Sequence, residues 1–126
     1  MNTPINVGIA SKLGNYSDAI QINPGLRWLY TSGTPGLNED GTVPQDFETQ
    51  ARLAWKGILA ILHAAIMDIE HIVKINQSLL RREDLTTYRK IRNEFLGLAR
   101  PASMLSFINE LVMPKMLIEL EIVAAK

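Results

Sequence analysis

Apolar residues recur between positions 47 and 66 mostly at three- and four-residue steps: Phe47, Ala51, Ala54, Trp55, Ile58, Leu59, Leu62, Ala65 and Ile66. That spacing puts them on one broad face of a helix of roughly twenty residues. Pro44, just ahead of Gln45-Asp46, marks its start, and Arg52 and Lys56 fall among the polar positions beside the stripe. A narrower stripe of Tyr88, Ile91 and Phe95 predicts a second helix, with Asp84 as N-cap, running through Leu96 and closed by Gly97. Elsewhere the period drops to two. Over residues 72–80, Val73, Ile75, Gln77 and Leu79 point one way and Ile72, Lys74, Asn76 and Ser78 the other. Residues 116–124 alternate as well, with Met116, Ile118, Leu120 and Ile122 opposite Leu117, Glu119, Glu121 and Val123. Residues 104–112 read as a strand of mixed pattern. Residues 16–22 and 26–32 are two short runs joined by Asn23-Pro24-Gly25, which predicts a hairpin. The stretch 33–44 holds three glycines and two prolines and reads as a loop.

The resulting order, β-β-(β)-α-β-α-β-β, predicts an α+β domain with an antiparallel or mixed sheet and both helices on one face. The other face would carry apolar residues mixed with polar ones such as Asn76 and Glu119, a pattern that points to burial against another copy of the chain.

Composition narrows the function classes. At 126 residues, 47% hydrophobic and 21% charged, the chain fits one globular domain over 1–126. Thirteen basic residues balance thirteen acidic ones, which makes a nucleic-acid partner unlikely on charge and leaves no electrostatic barrier to oligomerisation. With no cysteine, disulfide scaffolds, thiolate metal sites and cysteine nucleophiles are excluded. Met1-Asn2-Thr3-Pro4 lacks the basic and apolar regions of a secretory signal, and no apolar run approaches the ~20 residues of a membrane helix, so the expected location is the cytoplasm, with no membrane partner.

Candidate chemistry is sparse. Neither a glycine-rich nucleotide fingerprint nor a Gly-x-Ser-x-Gly elbow is present. His63 and His71 have no partner at metal-ligand spacing and read as structural, so no metal site is expected. The mixed run Arg81-Arg82-Glu83-Asp84 reads as a solvated helix start rather than an anion site. Glu119 and Glu121, two apart on a strand, face the same side. They are either an exposed polar strand face or an acid/base pair in a cleft, and the pattern alone leaves both readings open.

Five short segments carry a family resemblance. Gly14-Asn15-Tyr16-Ser17-Asp18-Ala19 resembles the Gly-Pro-Tyr-Ser-x-Ala opening of the Rid/YjgF family of reactive intermediate deaminases. Tyr30-Thr31-Ser32-Gly33 resembles its Val-x-Ser-Gly, Gln50-Ala51-Arg52 its Gln-x-Arg, and Pro101-Ala102 its Pro-Ala. The closing Ile118-Glu119-Leu120-Glu121-Ile122-Val123-Ala124, after Pro114, resembles its Ile-Glu-Ile-Glu-Ala-Ile-Ala. The resemblance implies a chorismate-mutase-like fold with a six-stranded mixed sheet, a barrel-like homotrimer, and clefts between subunits that bind a small metabolite. It implies hydrolysis of enamine or imine intermediates to keto acids and ammonia, without metal or organic cofactor. It places Tyr16, Ser32, Gly33 and Glu119 in the cleft, with Glu119 as the carboxylate that positions or activates water, and backbone amides near Gly33 and Ser103 as donors to a ligand.

One departure stands out. Deaminating members have Pro-Ala-Arg-Ser, whose arginine forks onto the substrate carboxylate, whereas this chain has Pro101-Ala102-Ser103-Met104. A single hydroxyl at Ser103 replaces neither the charge nor the fork. Arg89, at a polar position on the second helix, and Arg100, three residues before Ser103, could reach into the cleft, although a surface role is favoured for each. The interval from Ser103 to Glu119 is one residue longer than in the family pattern, which predicts a bulge or longer turn near 109–113. Two functions follow as expectations: a Rid-type hydrolase (enamine/imine deaminase class) with altered specificity, or a non-catalytic ligand-binding or regulatory trimer using the same cleft. Ribonuclease action is the least expected.

Overall fold

A computed structural model describes residues 2–126. The chain runs β1 (Thr3–Ile5), β2 (Ala19–Gln21), β3 (Trp28–Tyr30), β4 (Thr34–Pro35), α1 (Phe47–Ala64), β5 (Ile72–Leu79), α2 (Leu85–Leu96), β6 (Ala102–Phe107) and β7 (Ile118–Ala125). It is an α+β fold with two helices and a mixed sheet, as the pattern predicts. The expected six-stranded sheet is divided, however. A five-stranded sheet has the order β3-β7-β5-β6, with β4 also pairing with β7, and β1-β2 form a separate two-stranded ladder. A single parallel bridge, Ser17 to Ala102, links the approach to β2 with the β6 edge.

The predicted hairpin between 16–22 and 26–32 does not form. β2 pairs with β1 (Pro4 opposite Ile20), and β3 pairs with β7 (Leu29 opposite Ala124). Period-two alternation identifies a strand but not its partner; here β3 joins the free side of the long β7 rather than its neighbour in sequence. β6 is also shorter than predicted. It leaves the sheet after Phe107, so residues 108–117, which include 109–113, connect it to β7; a separate register shift lies in β5 between Ile72 and Lys74.

The inner face is set by the two periodicities together. α1 buries Phe47, Ala51, Ala54, Trp55, Ile58 and Leu62 against Ile75 and Leu79 of β5 and Ile118, Leu120 and Ile122 of β7. Asp46 caps α1 by accepting from the Thr49 amide at 2.9 Å. The stripe fails at its end: the helix stops at Ala64, and Ile66 turns outward in the left-handed region (φ 57°). α2 closes at Gly97 (φ 56°) as predicted. Asp84 occupies its N-cap position but caps no backbone amide, because its carboxylate is taken by Arg81 at 2.8 and 3.0 Å. Among the described residues no helix is long and apolar enough to cross a membrane.

One buried side chain ties the 33–44 loop to this core. Gln50 on α1 donates to the carbonyls of Pro44 (2.7 Å) and Lys115 (3.0 Å) and accepts from the Leu117 amide (2.8 Å). Gly36 lies so close to the Gln50 carbonyl that a Cβ there would fall 1.9 Å from it. Arg52, two residues on, joins Glu48 (3.2 Å) to Glu94 of α2 (2.8 Å). The Gln50-Ala51-Arg52 segment thus holds loop, helix and helix together.

Candidate functional site

The residues singled out in the sequence fall into two groups. The first surrounds Ser103. Strand register puts Ser103 opposite Ile75, and Ile75 opposite Ile122, so Ser103 belongs to the helix-facing side of the sheet. Its hydroxyl accepts from Gln77 Nε2 at 2.8 Å, and Gln77 Oε1 in turn accepts from the Tyr88 hydroxyl at 2.6 Å. This relay from α2 through β5 to β6 fixes the Ser103 oxygen and leaves its own proton free to donate.

Tyr16 reaches the same place by a different route. The Ser17 amide donates to the Pro101 carbonyl at 3.2 Å, and the Ser17 hydroxyl bonds the Arg100 carbonyl, which fastens this segment along the start of β6. Gly14 permits the Tyr16 ring to lie on the backbone, since a Cβ at 14 would meet the ring at 3.3 Å. Asp18 secures the preceding turn by accepting from the Val7 and Ala10 amides, both at 2.6 Å. Tyr16, Ser103 and Arg89 consequently line one cavity of about 280 Å³. Arg100 does not reach it. Its guanidinium donates to the carbonyls of Gly97 and Ala99 and borders a different cavity.

Two residues that sequence reasoning passed over line the Ser103 cavity as well. Arg82, read as part of a solvated helix start, lies over the Phe107 ring at 4.6 Å and faces the cavity. Arg92 is 7% exposed and also lines the cavity. A sequence signal for it existed: Arg92 follows Tyr88 by four positions and precedes Phe95 by three, which puts a cation on the apolar stripe of α2.

The second group lies on the opposite side of the sheet. Glu119 stands opposite Ser78, which stands opposite Ser106, all on the face away from the helices. The β4 pairing of Pro35 with Glu119 brings the exposed Ser32 and Gly33 alongside. A Cβ on Gly33 would fall 2.5 Å from Glu119 Oε1 and 2.7 Å from its Cδ, so the carboxylate rests on the Gly33 backbone. Glu119 is half-buried, and among the described residues none hydrogen-bonds to its carboxylate, whereas Glu121 accepts from Asn76 at 2.8 Å. The same face exposes Trp28 (53%), Tyr30 (69%) and Met104 (59%).

One chain therefore does not bring Glu119 and Ser103 together, because they project from opposite faces with β5 between them. The histidines are used locally. His71 Nδ1 accepts from the Asp68 amide in a capping box, and His63 Nε2 stands 3.6 Å from Asp68. Among the described residues no three His, Cys, Asp or Glu side chains gather to hold a metal ion.

The family model described as endoribonuclease L-PSP matches residues 9–126. Among solved structures, the chain is similar to a Rid-family protein of unknown function, YyfB from Yersinia pestis, with TM-score 0.86, 20% identity, and 99% and 98% of the two chains covered. RidA from an Antarctic Psychrobacter aligns with TM-score 0.75 and 25% identity over 90% of each chain. E. coli TdcF, solved with bound serine, aligns with TM-score 0.74 and 23% identity over 90% of each chain.

Proposed function

The chain belongs to the endoribonuclease L-PSP (YjgF/Rid) family, and from that premise we propose that it hydrolyses a small reactive imine or enamine in a cleft completed by a second copy of itself. The observation that carries this reading is Glu119: a half-buried carboxylate, seated on Gly33 and free of hydrogen-bond partners among the described residues. A carboxylate so placed is available to accept a proton from water as the water oxygen adds to the imine carbon, and to return it to nitrogen as ammonia leaves. The cleft wall supplied by the other copy would be the Ser103 cavity, with Tyr16 and the Ser103 hydroxyl as donors and Arg89 at its mouth. The division of these residues between opposite faces supports a site built from two subunits, and the exposed Trp28, Tyr30 and Met104 support association in a homotrimer.

Specificity follows from Ser103. A hydroxyl does not grip a carboxylate as a guanidinium fork does, so simple amino-acid-derived imines should be poor substrates. With 2-aminoacrylate generated in situ by a dehydratase, ammonia release should be well below that of an arginine-bearing homologue. Comparable rates would show that Ser103 does not alter specificity. Glu119→Gln should lower kcat by about a hundredfold or more on whichever imine is turned over; unchanged kcat would remove Glu119 from the chemistry.

A further inference from the structure

The chain has seven arginines, and they divide cleanly. Arg27 donates to the Ala65 carbonyl, Arg52 pairs with Glu48 and Glu94, Arg81 with Asp84 and Glu83, and Arg100 donates to two carbonyls. Arg82, Arg89 and Arg92 have neither ion pair nor hydrogen bond among the described residues, and these three line the same cavity. No aspartate or glutamate lines it with them.

Arg92 is the most telling of the three. It is more than nine-tenths buried, and its Nε is shielded from solvent with no partner. Its nearest compensation is the face of Tyr88, 5.8 Å away. Burial, and then the neighbouring charge of Arg89, push its pKa below the ordinary arginine value, yet a guanidinium stays charged even so. Arg89 and Arg92, three apart on α2, repel each other. A buried cation beside a like charge and without a counter-ion weakens the fold, so the arrangement is explained by something that enters the cavity.

We propose that the cavity beside Ser103 is an anion site built on the arginines of α2 and the turn before it, with Arg92 at its buried end, and that its ligand is a small molecule bearing two negative charges. Arg92 and Arg89 reach the cavity from α2, and Arg82 is held against it by the Phe107 ring. The Ser103 hydroxyl, its oxygen occupied by Gln77, has a proton to donate to the same ligand. Three guanidinium groups facing the one carboxylate, Glu119, that a second copy brings to the proposed cleft leave one uncompensated charge around a monoanion and none around a dianion, so the dianion is favoured. At about 280 Å³ the space suits a small metabolite rather than a polymer. The inference deepens the proposed hydrolysis by naming the charge of the substrate, and it rests on that reading for the facing Glu119 and for the claim that the bound dianion is turned over.

Calorimetric titration of the purified full-length protein with succinate, inorganic phosphate and propionate tests it. Succinate or phosphate should bind at least about tenfold more tightly than propionate, and the tighter of the two identifies the ligand as a dicarboxylate or a phosphate ester. Arg92→Met should weaken that binding by about ten- to a hundredfold, while the unliganded melting temperature is unchanged or higher, because a buried charge has been removed. Arg82→Gln and Arg89→Gln, both at exposed positions, should each weaken it and keep the test intact if Arg92→Met does not fold. Arg100→Gln should have no effect. Equal affinity for propionate and the dianions, or wild-type binding by the Arg82, Arg89 and Arg92 variants, would overturn the proposal. Binding is read without turnover, so full activity in Glu119→Gln would sink the proposed chemistry and leave the anion site standing.

Discussion

At the scale of single residues, a change at Gly33 would separate the proposed activity from stability. No left-handed φ requires glycine there, and the atoms a methyl would strike belong to the movable end of Glu119. Gly33→Ala should therefore cost less than about 1 kcal/mol of stability while pushing the carboxylate out of place, so turnover should fall at least about tenfold with little change in melting temperature. Parallel losses of both would mean that Gly33 serves the fold instead. Sequence reasoning reached Glu119, Gly33, Tyr16 and Ser103 because they stand in recognisable short motifs. Arg92 stands in no such motif; its place on the apolar stripe of α2 was legible and marks it as buried, but its lack of a counter-ion was not, because ion pairing is set by tertiary contacts that sequence spacing does not contain.

Among elements, the segment leading into β2 depends on one carboxylate. Hydrogen bonds from the Val7 and Ala10 amides, with lesser ones from Ile9 and Gly8, hold the Asp18 carboxyl below its ordinary 3.8. A carboxyl with a depressed folded-state pKa adds stability above its unfolded value and loses it as pH falls through the folded value. The turn before Tyr16 should thus loosen below about pH 4, together with the α1 cap at Asp46, whose pKa is lowered by Thr49. Asp18→Asn should reproduce the loosening at neutral pH, seen as faster amide exchange at 7–10 but not in β5. Equal exchange in variant and wild type would contradict this. The elements legible in the sequence were those with long uninterrupted periods, α1, β5 and β7, and also α2, whose narrower stripe lies between Asp84 and Gly97. β2 and β3 fall inside the predicted runs 16–22 and 26–32, but β1 and β4 were not legible, and neither was the partner of any strand. β1 has too few residues to show a period, and the false hairpin arose because a good turn at 23–25 says nothing of the competing, non-local partner β7.

For the whole molecule, Trp28, Tyr30 and Met104 form an uncovered side of the sheet on the same face as Glu119. Met104→Glu puts a charge at a site that is solvated in a lone chain and buried in the proposed assembly. It should leave the circular dichroism of the chain intact, reduce the mass measured by light scattering, and abolish turnover. A wild-type chain that is already a monomer at micromolar concentration would remove the two-copy site altogether. The Ser17–Ala102 bridge has a consequence of its own. Glu119 lies on β7 in the middle of the sheet, but Tyr16 hangs from an outlying ladder of two three-residue strands, exposed over most of their length. The two walls of the proposed site should therefore have different lifetimes on warming, the tyrosine wall opening many times for each global unfolding event, so that affinity fades at temperatures where the carboxylate wall is still fully formed.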